Sequence, residues 1–419
     1  MKNLVLAASI AGVASGAAHA QLQVPAYDTF QLQARTNLLV NDNGWNLPPG
    51  SSFNSISAKI DDARRVAFPV QVVPNGASSS PGLWFGGDGV GGIVFTGPAD
   101  ALIGSSVAMS QDGRVAFTLI ETGNGTDGIW RYEHAGGTAA RVGTSPVFPS
   151  SYGTVMMNGA GDIGFQATMG GGGRAFASMP AAGGAATIHV TDKTLDPSSA
   201  YTYLYTPGMH GDRRIVAKVA TSPDMTSATE IRGFLPDGSS IVYAQNVGAD
   251  PGSMFKQFDN SIGVASNLHI AYVATRVSDN RRALYRPAGP WLLAEEDPNG
   301  LVRSIASFPP AINYAGLTVF RGRDANGEAI FIAHNLEGVR RLIGKGDRVQ
   351  TDLGLAQIGQ NNDVDSVFSG APSINDNGDI AFVATLHPDG NNQVEWGTGV
   401  FVARATHDRI FRNGFQLPF

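Results

Sequence analysis

The chain has 419 residues, 15% of them charged, and a formal net charge of −6. That mild acidity argues against nucleic-acid binding, which needs a basic stripe. The absence of cysteine excludes disulfides, a lipid-modified cysteine anchor, thiolate metal sites and a cysteine nucleophile. Glycine, at 53 residues, is nearly twice its usual ~7% share, which points to many tight turns between short strands.

At the N-terminus, Lys2 supplies a short positive segment and residues 4–17 an apolar, small-residue stretch. Ala18-His19-Ala20 follows as an A-x-A cleavage site. Residues 1–20 are therefore expected to be a signal peptide cleaved near Ala20/Gln21, leaving a mature chain, 21–419, that is periplasmic or secreted. The apolar stretch falls short of the ~20 residues that a membrane span needs, and no later run is long or apolar enough.

Residues 30–50, FQLQARTNLLVNDNGWNLPPG, read as the latter half of a structural unit. They resemble GVFVARATHDRIFRNGFQLP at 399–418, so strands at about 28–50 are expected to help close a ring. A repeated form then runs along the chain: IDDARRVAFPV from Ile60, VAMSQDGRVAFTL from Val107, MNGAGDIGFQAT from Met157, INYAGLTVFR from Ile312 and INDNGDIAFVATL from Ile374. Two weaker copies, MHGDRRIVAKVAT from Met209 and VASNLHIAYVAT from Val264, lack the asparagine and the glycine. Aligned on Phe68, Phe117, Phe165, Ala217, Tyr272, Phe320 and Phe382, the copies are 49, 48, 52, 55, 48 and 62 residues apart. A period near 50 marks a repeat architecture.

Each unit reads as four short strands. After the anchor comes a polar, Gly-rich gap and a strand such as RALYR at 282–286 or AIFIA at 329–333, then an apolar run such as WLLAE at 291–295, then a run leading into the next unit. Four antiparallel strands per ~50 residues is the pattern of a β-propeller. An open β-solenoid usually has shorter coils. The predicted fold is all-β: one propeller of seven blades, or eight if one blade is composite. In Asn375-Asp-Asn-Gly378, Asn opens a turn and Gly takes a conformation that tight hairpins require. Asn158 with Gly161, Asn313 with Gly316, and Gly113 are expected in the same structural role. The 62-residue spacing contains residues 358–373, expected as an extended loop.

The Asn-x-x-Gly-x-x-Ala-Phe form, clearest at 158–161, 313–316 and 375–378, resembles a family of exported bacterial tandem-repeat proteins named for that motif. Ser110-Gln-Asp-Gly113 is similar to the turns of TolB-like propellers. The resemblance covers nearly all of the mature chain. It implies export and propeller-like β structure, and carries no established activity. Many members end in a surface-sorting tail. This chain ends NGFQLPF, so surface attachment is not expected.

Candidate sites are few. The turns NDNG at 41 and 375, DPNG at 297 and DANGE at 324 lack the alternating ligands and distal carboxylate of a calcium loop, so each reads as a hairpin turn. GDGVGG at 87–92 has dinucleotide-motif glycines but no strand–helix context. There is no G-x-S-x-G, and His134, His189, His210, His269, His334, His387 and His407 stand singly, without ligand spacing. No catalytic residue, metal or cofactor is therefore assigned. His210-Gly-Asp212-Arg213-Arg214 replaces the consensus turn in the weakest repeat and is the candidate binding cluster, set against plain repeat decay. The leading expectation is a monomeric, exported, non-enzymatic propeller that binds a protein, peptide or glycan. The rivals are a carbohydrate hydrolase or lyase with carboxylates at the channel mouth, and a structural envelope or matrix protein.

Overall fold

The computed structural model describes residues 24–36, 44–53, 55–73, 79–99, 101–104, 107–121, 128–142, 151–287, 291–360, 364 and 366–406. Residues 1–20 of the expected signal peptide and His407 lie outside them. The described strands form seven antiparallel sheets, each assembled in near-sequential order, around one central channel. The predicted seven-bladed propeller is the observed fold.

The anchor of every repeat falls on the second strand of a blade. These strands are Arg65–Val72, Val115–Glu121, Ile163–Thr168, Ile215–Ala220, Ile270–Arg276, Thr318–Asp324 and Ile380–Pro388, in blades one to seven. Period-2 alternation sends the anchor to one face and its neighbour to the other. All seven anchors are at most 2% exposed. Five of them face an aromatic residue in register across the sheet; in Phe68–Trp84, Tyr272–Tyr285, Phe320–Phe331 and Phe382–Phe401 the ring centroids are 4.9–6.1 Å apart, and the fifth pair is Phe117–Trp130.

The residues just before the anchors line the opposite face; they are small in five blades, Ala67, Ala116, Gly164, Ala271 and Ala381, and valine in the other two, Val216 and Val319. The core consequently divides into one cluster per blade junction. Ala67 of blade one packs with Phe117 of blade two, and Ala381 of blade seven with Phe68 and Trp84 of blade one. At Gly164 a side chain has no room, because a Cβ there would lie 2.7 Å from Sδ of Met209 in the next blade.

Blade seven closes the ring. Its outermost strand, Ala26–Arg35, comes from the N-terminus and pairs with Gly397–Thr406. A register shift between Leu32 and Ala34 sends two residues of like parity to opposite faces. Leu32 joins the cluster shared with blade six, and Ala34 the cluster shared with blade one. Blade seven also gains a hairpin, Arg348–Thr351 and Gly354–Ile358. The end of the loop expected at 358–373 belongs instead to the inner strand Phe368–Ile374.

The innermost strands are interrupted halfway along. In blades two, four and six they split in two, as in Tyr203–Leu204 and Gly208–Met209. In blades three, five and seven they carry register shifts. Pro207, Pro310 and Pro372 lie at these breaks and cannot donate to the ladder.

Ala34 is fully buried, so Ala34→Asp would place a carboxylate inside the seam between the first and last blades. The expected loss is about 3 kcal/mol or more of unfolding free energy, read by urea denaturation. A loss under about 1 kcal/mol would show that this strand does not hold the ring.

Candidate functional site

The turn joining the first and second strands has one backbone geometry in all seven blades. Its first residue is Asp61, Ser110, Asn158, His210, Ala265, Asn313 or Asn375. In each case that residue's N–H donates to the carbonyl four residues on, at 2.9–3.2 Å. The fourth residue has positive φ everywhere: Gly113, Gly161, Gly316 and Gly378 at +82° to +89°, but Arg64, Arg213 and Leu268 at +62° to +71°. Three side chains thus accept a conformation that favours glycine.

The asparagines at the first position bond in two directions. Oδ1 of Asn158, Asn313 and Asn375 accepts from the N–H four residues on, at 2.8–3.0 Å. Nδ2 donates into the next blade: Asn158 to Gly211 O (3.0 Å), Asn313 to Asn375 O (3.0 Å) and Asn375 to Asp61 O (2.8 Å). The repeat asparagine is therefore a staple between blades.

His210 occupies the same place and makes the same kind of link. Its Nδ1 donates to Ala265 O of blade five at 2.6 Å, and its ring is fully buried. Burial holds its pKa down to about 4, and no hydrogen-bond partner among the described residues reaches Nε2. Asp212 pairs with Arg214 at 2.8 Å, and Arg214 also donates to the Tyr243 hydroxyl at 2.8 Å. Arg213 takes the positive-φ position. The four candidate residues thus turn to different partners instead of converging on one point.

The second turn residues draw together over one end of the channel. Gln111 of blade two donates to Asp376 of blade seven, and Gly159 N of blade three to Ser266 Oγ of blade five at 3.4 Å. Tyr314 N donates to Asp376 Oδ1 (2.9 Å), and Asp376 N to Asp62 Oδ1 (3.0 Å). Contacts between non-adjacent blades constrict this end. The acidic look of Asn375–Asp379 is accounted for by such bonds: Asp379 accepts from Ala405 N, Asn375 Nδ2 and Arg64 Nε.

The channel has a volume of about 320 Å³ and is walled by the inner strands of all seven blades. The residue before each turn forms an apolar ring: Ile60, Met109, Met157, Met209, Val264, Ile312 and Ile374. One position earlier the ring is Lys59, Ala108, Met156, Gly208, Gly263, Ala311 and Ser373. Lys59 is the one charged residue among the described lining residues, and no carboxylate is among them. Sequence reading missed Lys59. Comparing that column across the seven copies would have exposed it.

Buried histidine chemistry elsewhere is packed away from solvent. Ser178 Oγ and His189 Nε2 are 2.8 Å apart, and His189 Nδ1 lies 2.9 Å from Phe234 O. Ser178 is fully buried, so this dyad presents no nucleophile to a substrate.

No family sequence profile matches the chain, and no curated protein does. Solved structures match over most of its length. The β-propeller domain of the Trilobed protease from Pyrococcus furiosus, described as having an open velcro topology, shares 12% identity at a TM-score of 0.54, covering 84% of this chain and 96% of that one. An oligogalacturonate lyase in complex with manganese shares 12% at 0.55, covering 91% and 98%. The oligogalacturonate lyase of Vibrio parahaemolyticus shares 11% at 0.50, with the same coverage. At this identity the likeness shows the propeller fold alone.

Two variants test the staple. Asn375→Ala strips partners from Asp379 N and Asp61 O and is expected to cost about 1–3 kcal/mol of stability by urea denaturation. His210→Asn restores the consensus residue. The folded histidine titrates near 4 and the unfolded one near 6.5, so the unfolded chain binds the extra proton between those values. Its contribution is full above pH 6.5 and is lost as pH falls toward 4, by up to about 3 kcal/mol. The loss of Tm between pH 7 and 5 should shrink in His210→Asn. Parallel curves for the two proteins would remove His210 as the cause.

Proposed function

We propose that this protein is an exported, monomeric β-propeller of the Asn-x-x-Gly-x-x-Ala-Phe repeat type that works as a binding module. Its partner is a protein, peptide or glycan, engaged on the face opposite the closed turns. The observation that carries this reading is the channel wall: apolar, small and hydroxyl side chains with one cation and no carboxylate among the described lining residues. Glycoside chemistry needs two carboxyl groups about 5–9.5 Å apart across the bond to be cut. At the turn end, the polar groups are largely spent on one another, as the Asn375, His210 and Asp376 bonds illustrate. The opposite face carries the longer connections, such as 192–202 and 246–254, and loops on a rigid frame are where recognition residues reside. Phe308, 40% exposed beside the channel residue Pro309 and covered by the Arg321 guanidinium at 3.9 Å, offers an aromatic contact.

The test uses the mature chain from Gln21, immobilised and probed with a glycan array and with extract of the producing cell's envelope. A specific partner should be retained, and Phe308→Ser should weaken its capture, while Asp112→Ala on the turn side leaves it unchanged. Turnover of any polysaccharide in a substrate panel would replace this reading with the enzymatic one. Loss of capture by Asp112→Ala alone would move the site to the other face.

A further inference from the structure

The central channel holds an unexplained charge. Lys59 lies on the inner strand of blade one, opposite Ala67, where six other blades place alanine, glycine, serine or methionine. Two buried cations of other blades, Lys218 and Arg321, have hydrogen-bond partners. Lys218 Nζ donates to Phe258 O and Asn260 Oδ1, and Arg321 donates to Gly370 O and Glu328. No described acceptor lies within hydrogen-bond distance of Lys59 Nζ, and no described carboxylate pairs with it. Burial lowers its pKa, and no neighbouring acid offsets that effect.

Lys59 is half-buried, so its ammonium is only partly hydrated in the channel and an anion there would compensate it. The remaining wall mixes apolar and hydroxyl side chains: Met109 and Met157 supply adaptable thioethers and Ile312 and Pro310 rigid aliphatic surface, beside Ser57, Thr154, Thr206 and Ser373. A volume of about 320 Å³ sits at the lower end of the ~300–1,000 Å³ range of small-molecule pockets. The turn end is constricted by the Gln111–Asp376 and Gly159–Ser266 contacts, so entry runs from the loop face. One cation, a ring of methionine and isoleucine side chains and a narrowed floor match a ligand with one anionic head and a short apolar body.

We propose that the channel is a binding site for a small organic monocarboxylate, its carboxylate paired with the Lys59 ammonium and its hydrocarbon part against the methionine and isoleucine walls. The site does not depend on a macromolecular partner on the outer face. Binding would supply the counter-charge that the fold itself lacks. It would also raise the Lys59 pKa, since a carboxylate at contact distance favours the charged amine.

The experiment is calorimetric titration of the mature protein with hexanoate, hexanamide and inorganic phosphate at low ionic strength, on wild type, Lys59→Met and Lys59→Arg. Hexanoate should bind wild type, at least 10-fold more weakly to Lys59→Met, and measurably to Lys59→Arg. Hexanamide should bind at least 10-fold more weakly than hexanoate. In a separate readout, ¹⁵N-lysine NMR should show the Lys59 amine titrating higher with hexanoate than without it. Thermal melts confirm that both variants fold. Equal hexanoate affinity in Lys59→Met, equal affinity for hexanamide, phosphate binding as tight as hexanoate, or no heat up to millimolar hexanoate would each overturn the proposal.

Discussion

Everything in this molecule rests on the contact between the small face of one blade and the aromatic face of the next. The alternation Ala-Phe on the second strand supplies both faces at once, since neighbouring residues on a strand point in opposite directions. Every core cluster spans two blades, so each blade depends on its neighbours for burial. A stack built that way leaves an apolar face at each end unless it closes. The N-terminal strand solves this in blade seven. Its bulge between Leu32 and Ala34 lets ten residues serve both neighbouring clusters.

The turn at the channel floor is the second level of the same design. Packing sets the distance between blades, and a polar side chain at the first turn position then bonds backbone of its own turn and of the next blade. Asparagine suits this, because it carries an acceptor and a donor on one short arm. Histidine at 210 keeps the donor to the next blade, and the price is a ring nitrogen with no partner. Serine at 110 keeps only the local half, accepting from Arg114 N at 3.0 Å. Positive φ is imposed by the turn itself. Arg64, Arg213 and Leu268 therefore sit in a conformation that glycine adopts without strain.

The period, the seven anchors and the strand that follows each of them were legible because burial and turn chemistry write directly into sequence. Phe68 and Phe382 are 314 residues apart yet recognisable as equivalents, and they lie in neighbouring blades. The meaning of the asparagine was not legible. Its partner is a carbonyl roughly 50 residues on, and a main-chain acceptor leaves no trace in residue identity. The hairpin at 348–358 was hidden for another reason: it is an insertion with no counterpart in the other units. His210 stood out as a departure from consensus, but geometry shows the departure preserving the function of the residue it replaced.

That contrast bears on how repeats reveal sites. A substitution in a repeated column carries information only relative to what the column does. At the first turn position the column's task is to bond the next blade, and His210 performs it. One ring above the floor, the column's task is to fill a narrow wall without charge, as Ala108, Met156, Gly208, Gly263, Ala311 and Ser373 do. Lys59 brings charge, and nothing described compensates it. Repeat decay tends toward neutral replacements, because a half-buried ammonium without a counter-charge weakens the fold that carries it. The quieter departure, inside the stretch Ser57-Ala-Lys59-Ile60 that leads into the first repeat, is therefore the one that asks for a ligand.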